Sequence, residues 1–151
     1  MRGRRKAREI ALQVLYGLNF ENIDVEKALD LFWSNFVAPK AAKEFAAFLV
    51  QGTYEHKEEL DKLIAGCSDN WSLGRMSKVD INILRLAVFE FLYCEDIPPK
   101  VTLNEAVDLG KTFGSENSGS FINGILDALN LKLNKKNATN LLDRKSRPSQ
   151  T

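Results

Sequence analysis

The chain has 151 residues, of which 44% are apolar and 27% charged, enough for one packed domain and too few for two of ordinary size. That composition excludes low-complexity, collagen-like and largely disordered proteins, and no apolar run reaches the roughly 18 residues a spanning helix needs. The N-terminus MRGRRKAREIALQVLY has Glu9 and Gln13 where a signal peptide would be continuously apolar, so a soluble, cytoplasmic protein is expected.

Cys67, Cys94 and the single histidine, His56, make neither a disulfide framework nor a CxxC pair, which argues against zinc. The net charge of +1 hides a strong asymmetry. Residues 1–8 carry Arg2, Arg4, Arg5, Lys6 and Arg8 with no acid, and residues 132–151 carry six basic groups against Asp143 alone. The stretch between them, 9–131, has 10 basic and 19 acidic residues, a net −9. Basic ends on an acidic body suit a polyanion at one place and a basic partner at another.

In chain order, Ala7, Ile10, Ala11, Val14, Leu15 and Leu18 follow the i, i+3, i+4, i+7 rule and predict a first helix. Asp24 caps a second, through Val25, Ala28, Leu29, Phe32, Trp33 and Phe36, which Pro39 closes. A third pattern runs from Ala42 to Ile64, broken near Gly52 and ending at Gly66. Ser77 and Asp80 give a capping-box-like start to a helix apolar nearly all round from Val79 to Leu92, the expected central helix, ended by Pro98 and Pro99. Thr102 and Glu105 form a T-x-x-E box for a sixth segment that stops at Gly114, and Ser115 caps a last helix through Phe121, Ile125, Ala128 and Leu129. After Leu133 the periodicity is lost, so residues 1–133 are expected to form the domain and 134–151 a disordered basic tail. No alternating strand and no repeat is found. The expected class is all-α, two small bundles sharing the helix near 78–94.

The arginines occupy the wrong end of a helix, because a helix N-terminus carries about half a positive charge. Two readings fit: a site for nucleic-acid phosphates, which arginine forks and free helical amides both favour, or a solubilising arm. Phe113, Gly114, Ser115, Glu116, Asn117, Ser118 and Phe121 place small polar residues between aromatics, as suits single-stranded RNA. From the residues alone they read more readily as core rings, Phe113 and Phe121, around a cap at Ser115. No GxxxxGK[ST] or GxGxxG loop occurs, and Glu58/Glu59 and Glu95/Asp96 read as solvated charge, so neither catalysis, a cofactor nor a metal is expected. Arg85 and Glu90 interrupt the central helix, and Arg85 is expected to tie two helices through an acid. Gly124 reads as a close-packing position.

The strings RRKAREIALQVLY at 4–16, VDINILRLAVFEF at 79–91 and IPPKVTLNEAVDLGKTFGSENSGSFINGILD at 97–127 together resemble the transcription antitermination family NusB over about residues 4–130. The resemblance implies two three-helix bundles of about seven helices, no catalysis, and binding of boxA RNA of ribosomal RNA operons with the ribosomal protein NusE in the RNA polymerase antitermination complex. It places RNA contacts on Arg4, Arg5, Lys6 and Arg8 with Tyr16 nearby, and on Phe113, Asn117, Ser118 and Phe121. Asn117 departs from the acid that many relatives carry there, which eases approach of phosphate. Asp80 resembles a position facing NusE or serves only its own helix, and Asn104 and Glu105 read as cap and fold residues. The resemblance also allows a homodimer that covers the arginine arm. Two rival functions are weighed: the same fold serves as the N-terminal domain of an rRNA cytosine methyltransferase, for whose cofactor-binding domain the length leaves no room, and the other rival is a non-catalytic protein-interaction or self-assembling helical module without specific RNA binding.

Deleting residues 134–151 is expected to leave thermal unfolding nearly unchanged, because no periodic apolar face is lost. A large fall in melting temperature would show that the tail packs.

Overall fold

The computed structural model describes residues 2–18, 23–68 and 72–146. Among these the regular structure is helical: α1 (Arg2–Leu18), α2 (Val25–Asn35), α3 (Lys40–Glu55), α4 (Lys57–Ala65), α5 (Lys78–Tyr93), α6 (Pro99–Phe113) and α7 (Ser118–Ser146), with a short 3-10 turn at Leu73–Arg75. Helices α1, α2 and α3 pack on one another, α5, α6 and α7 do the same, and α5 also touches α1, α3 and α4. This is the expected pair of three-helix bundles. No described helix is long and apolar enough to cross a membrane.

Helix α5 joins the bundles because its apolar residues point nearly all round: Ile81, Ile83, Leu84, Leu86, Ala87, Val88 and Phe89 are all buried, covering successive directions around its axis. Ser77 caps it by accepting the Asp80 N–H at 3.0 Å, and Asp24 caps α2 by accepting the Lys27 N–H at 2.8 Å. Arg85 and Asp61 form a two-pronged ion pair, 2.7 and 3.1 Å, that ties α5 to α4 as expected of a part-buried arginine.

Several helix ends differ from the sequence reading. Asn35 ends α2 and Tyr93 ends α5; the prolines assigned as stops, Pro39 and Pro98, instead stand immediately before α3 and α6, with Pro99 in the first turn of α6. A proline ring is tolerated there because first-turn N–H groups have no intrahelical acceptor. Thr102 is therefore inside α6 rather than its cap, and its hydroxyl donates to Glu90 at 3.1 Å. Helix α7 continues to Ser146, so the backbone of 134–146 is helical where the sequence reading expects disorder. No glycine or proline interrupts that stretch before Pro148. Leu133 remains the last described side chain packed on the core, and residues 147–151 lie outside the described residues.

The close-packing glycines are also others than expected. A Cβ on Gly52 would stand 2.1 Å from Phe89 Cζ and one on Gly110 2.7 Å from Ile122 Cδ1, whereas Gly124 meets nothing within 4 Å. Gly52 lets α3 lie directly on the α5 ring, and Gly110 lets α6 approach α7; Gly124 faces solvent.

These positions give substitutions of opposite sign. Gly52→Ala is expected to destabilise by about 1–3 kcal/mol through overpacking, and Gly124→Ala to stabilise by up to about 1 kcal/mol through helix propensity. Urea unfolding of both variants checks this, and an unchanged midpoint for Gly52→Ala would show that Phe89 moves aside freely.

Candidate nucleic-acid interface

The first turn of α1 contains no acid, yet its cations are not left facing a helix dipole alone. Arg4 donates to Asp96 at 2.8 Å, and Arg5 donates to Glu105 at 3.1 and 3.2 Å and to Asp108 at 2.9 Å. Lys6 stands 3.9 Å from Glu9. Carboxylates from the α5–α6 turn and from α6 thus supply the negative charge that the sequence reading assigned to phosphate. The side chain of Arg2 lies outside the described residues.

Arg8 is different in kind and corrects the sequence reading. It is 4% exposed and forms a two-pronged pair with Glu90 of α5, 2.9 and 2.8 Å, while the Thr102 hydroxyl donates to the same carboxylate. Burial opposes its charge, but the hydrogen bonds and the charge of Glu90 outweigh that and hold the guanidinium above its ordinary pKa. The helical repeat explains why: Arg8 lies on the same stripe as Ala11, Leu12 and Leu15, so it points into the core, whereas Arg5 and Lys6 point out. Arg8 offers no fork to an external phosphate.

Phe45 of α3 completes the arm. The guanidinium carbons of Arg4 and Arg8 stand 5.4 and 5.7 Å from its ring centre, within cation–π range. At the outer side, Arg5, Glu9, Glu105, Asp108, Leu109 and Thr112 line a shallow cleft between α1 and α6. Residues about a hundred positions apart in the chain, Arg5 and Glu9 of α1 with Glu105, Asp108 and Thr112 of α6, thus share one surface.

In the second patch, Phe113 and Asn117 are exposed and Phe121 is half-buried against the core. Ser118 corrects the sequence reading: it is 1% exposed, and its hydroxyl accepts the Ser115 N–H at 2.9 Å. It closes the α6–α7 turn and is not presented to a ligand. A Cβ on Gly114 would collide with Ser118, which is why this turn needs glycine there. Tyr16 is exposed, about 16 Å along α1 from Arg5 at the helical rise of about 1.5 Å per residue.

Asp80 is 9% exposed, and its Oδ1 has no hydrogen-bond partner among the described residues, so Ser77 caps α5 without the return bond of a full capping box. Cys94 is not poised as a nucleophile: it is buried, and burial followed by the nearby Glu90 charge pushes its pKa up to about 11. His56 sits between α3 and α4, stacked on Tyr93 at 4.5 Å between ring centres, and Tyr93 donates to Glu59 at 2.9 Å. The sequence reading missed Asp96 and Asp108 and gave Glu105 only a fold role. The −9 charge of the body was the available signal, but charge along a chain does not say which acids meet which cations.

A model of the NusB family matches residues 5–130. The transcription antitermination protein NusB of Syntrophus aciditrophicus (strain SB) is 61% identical over 137 residues, 91% of this chain and 85% of that protein. The same-named protein of Myxococcus xanthus (strain DK1622) is 49% identical over 140 residues, 89% and 99% of the two chains. Among solved structures, T. maritima NusB superposes with a TM-score of 0.78 at 39% identity, covering 84% of this chain and 89% of that one. A chain from the crystal structure of antitermination factors NusB and NusE in complex with dsRNA gives a TM-score of 0.77 at 31% identity, covering 87% and 98%.

The two classes of arginine are expected to separate in unfolding experiments. Arg8→Ala or Glu90→Ala leaves an uncompensated buried charge and is expected to destabilise by about 3–5 kcal/mol. Arg5→Ala breaks only exposed pairs and is expected to leave stability nearly unchanged. Equal effects in denaturant titrations would overturn the distinction.

Proposed function

Because the chain belongs to the NusB family of transcription antitermination proteins, we propose that it binds boxA RNA of ribosomal RNA operons together with the ribosomal protein NusE and so helps RNA polymerase resist termination. The observation that carries this reading is the cleft between α1 and α6, where Arg5 meets Glu105, Asp108 and Thr112, together with the exposed Phe113 and Asn117 at and just after the end of α6. Cations suit the phosphates of a single strand, and an exposed ring suits an unstacked base. The solved NusB and NusE complex with dsRNA supports it by analogy of fold.

In this reading Arg4, Arg5, Lys6, Phe113 and Asn117 face the RNA, with Phe121 and Tyr16 at its edges. Arg8 and Ser118 hold the surface from beneath. Asp80 offers a basic protein such as NusE only the edge of its carboxylate, which would leave that partner to neighbouring residues as well. The protein works without catalysis or cofactor, in the cytoplasm, and residues 1–133 suffice. The rival reading, a helical interaction module without specific RNA binding, is favoured by Leu31, Phe36 and Val37, exposed apolar residues on and after α2.

A gel shift with boxA RNA against a scrambled strand, with and without NusE, separates the two; equal binding to both strands favours the rival. Within the first reading, Arg4→Ala with Arg5→Ala is expected to reduce the slope of log affinity against log salt by up to about 1.4 for single-stranded RNA. Phe113→Ala is expected to cost about 1–3 kcal/mol of binding with little change in slope. An unchanged slope in the arginine variant would remove the phosphate contacts and restore a solubilising arm.

A further inference from the structure

Every described cation of the arm already has a carboxylate: Asp96 for Arg4, Glu105 and Asp108 for Arg5, Glu9 for Lys6 and Glu90 for Arg8. Among the described residues, the four arm cations thus face five carboxylates, which blunts the positive charge the sequence shows and is an unfavourable starting state for meeting a polyanion. The pairs are not alike. The Arg8 and Glu90 side chains are 5% and 2% exposed, whereas those of Arg5 and Asp108 are 57% and 51% exposed and that of Asp96 is 68% exposed. The inner pair is sealed; the outer ones stand where a ligand oxygen can reach them.

We propose that Asp96, Glu105 and Asp108 are affinity-setting residues that occupy the Arg4 and Arg5 forks in the free protein and must be displaced by RNA phosphate. This deepens the RNA-binding reading above and rests on it. Carboxylate and phosphate are both planar-edged or tetrahedral oxyanions that arginine grips through two N–H groups, so one guanidinium edge cannot serve both fully. The hydrogen bond to Glu105, then its charge, raises the pKa of Arg5, and the hydrogen bond from Arg4 lowers that of Asp96, so these two groups are held in their charged forms.

The exchange has two measurable consequences. Each arginine gives up an internal partner to gain an external one, so phosphate-only contacts are weakened while the stacking site at Phe113 is untouched; RNA that offers no base contact is held less. The freed carboxylates also take up cations from solution as RNA binds, which cancels part of the counterion release and flattens the salt dependence.

The test is fluorescence anisotropy on the full chain with labelled boxA RNA and a scrambled strand of equal length, across a salt series. Asp96→Asn, Glu105→Gln and Asp108→Asn keep side-chain shape while removing charge, and Glu95→Gln, exposed beside Asp96 but outside these pairs, controls for net charge. Each of the three is expected to tighten both RNAs about two- to fivefold more than the control does, the range of an exposed ion pair, and to steepen the salt slope. In an Arg5→Ala background the gains from Glu105→Gln and Asp108→Asn should vanish. Gains that match Glu95→Gln, or that persist without Arg5, would reduce the effect to general charge and overturn the proposal; weaker binding would overturn it too, by making the carboxylates supports for the arginines. If Glu105→Gln disturbs folding, the more exposed Asp108→Asn carries the test. Parent protein that fails to distinguish boxA from the scrambled strand overturns the functional reading, whereas a parent that distinguishes them but shows no gain in the variants overturns only the displacement.

Discussion

The carboxylate of Glu90 lies where α1, α5 and α6 meet, taking two hydrogen bonds from Arg8 and one from Thr102. Two charges buried together are costly to desolvate and far costlier to separate, so this pair does more to specify which helices meet than to add net stability. It fixes the rotation of α1 about its axis. With Arg8 turned inward, the residues three and four positions before it flank the buried stripe: Arg5 reaches the α6 carboxylates, and Arg4 lies between Phe45 and Asp96. The orientation of the candidate RNA surface follows from a contact that the RNA never reaches.

Around that point the fold is governed by close approach. Helix α5 is buried nearly all round and is shared by both bundles, so neighbours must come near it from several directions. Gly52 admits the Phe89 ring between α3 and α5, and Gly110 admits Ile122 between α6 and α7. Gly114 and Ser118 then turn the chain tightly at the end of α6, leaving Phe113 and Asn117 exposed on either side of the turn. Packing in the interior thereby brings Arg5 of α1 against Glu105, Asp108 and Thr112 of α6.

Electrostatically, the arm illustrates how far charge in a sequence is from charge on a surface. The same acidic body that suggested a basic partner supplies the counterions of the arm, through Asp96, Glu105 and Asp108. Exposed pairs of this kind are weak and exchangeable, and the buried one beneath them is neither. One helix end therefore carries a permanent structural ion pair and a set of replaceable ones within two turns.

From the sequence alone, the helical class, the number of main helices, the two caps at Asp24 and Ser77 and the central place of residues 78–93 were legible, because hydrophobic period and cap chemistry are local properties. The RNA-facing candidates were legible as residue types, and the family resemblance named their positions. Which of them face outward was not. Arg8 and Arg5 are chemically identical and three residues apart, and only the packing of α1 against α5 separates a core ion pair from a surface one. Ser118 and Thr102 read as ligand and cap because their hydroxyls suit either role; the partners that decide it, Ser115 N–H and Glu90, are set by a turn and by a second helix. Prolines 39, 98 and 99 showed that the helix must break but not on which side, since a ring that cannot follow a helix interior can still begin one. Period and capping are written within a few neighbouring residues, whereas burial, ion pairing and the shared face of α1 and α6 depend on residues about a hundred positions apart, whose meeting only the folded chain decides.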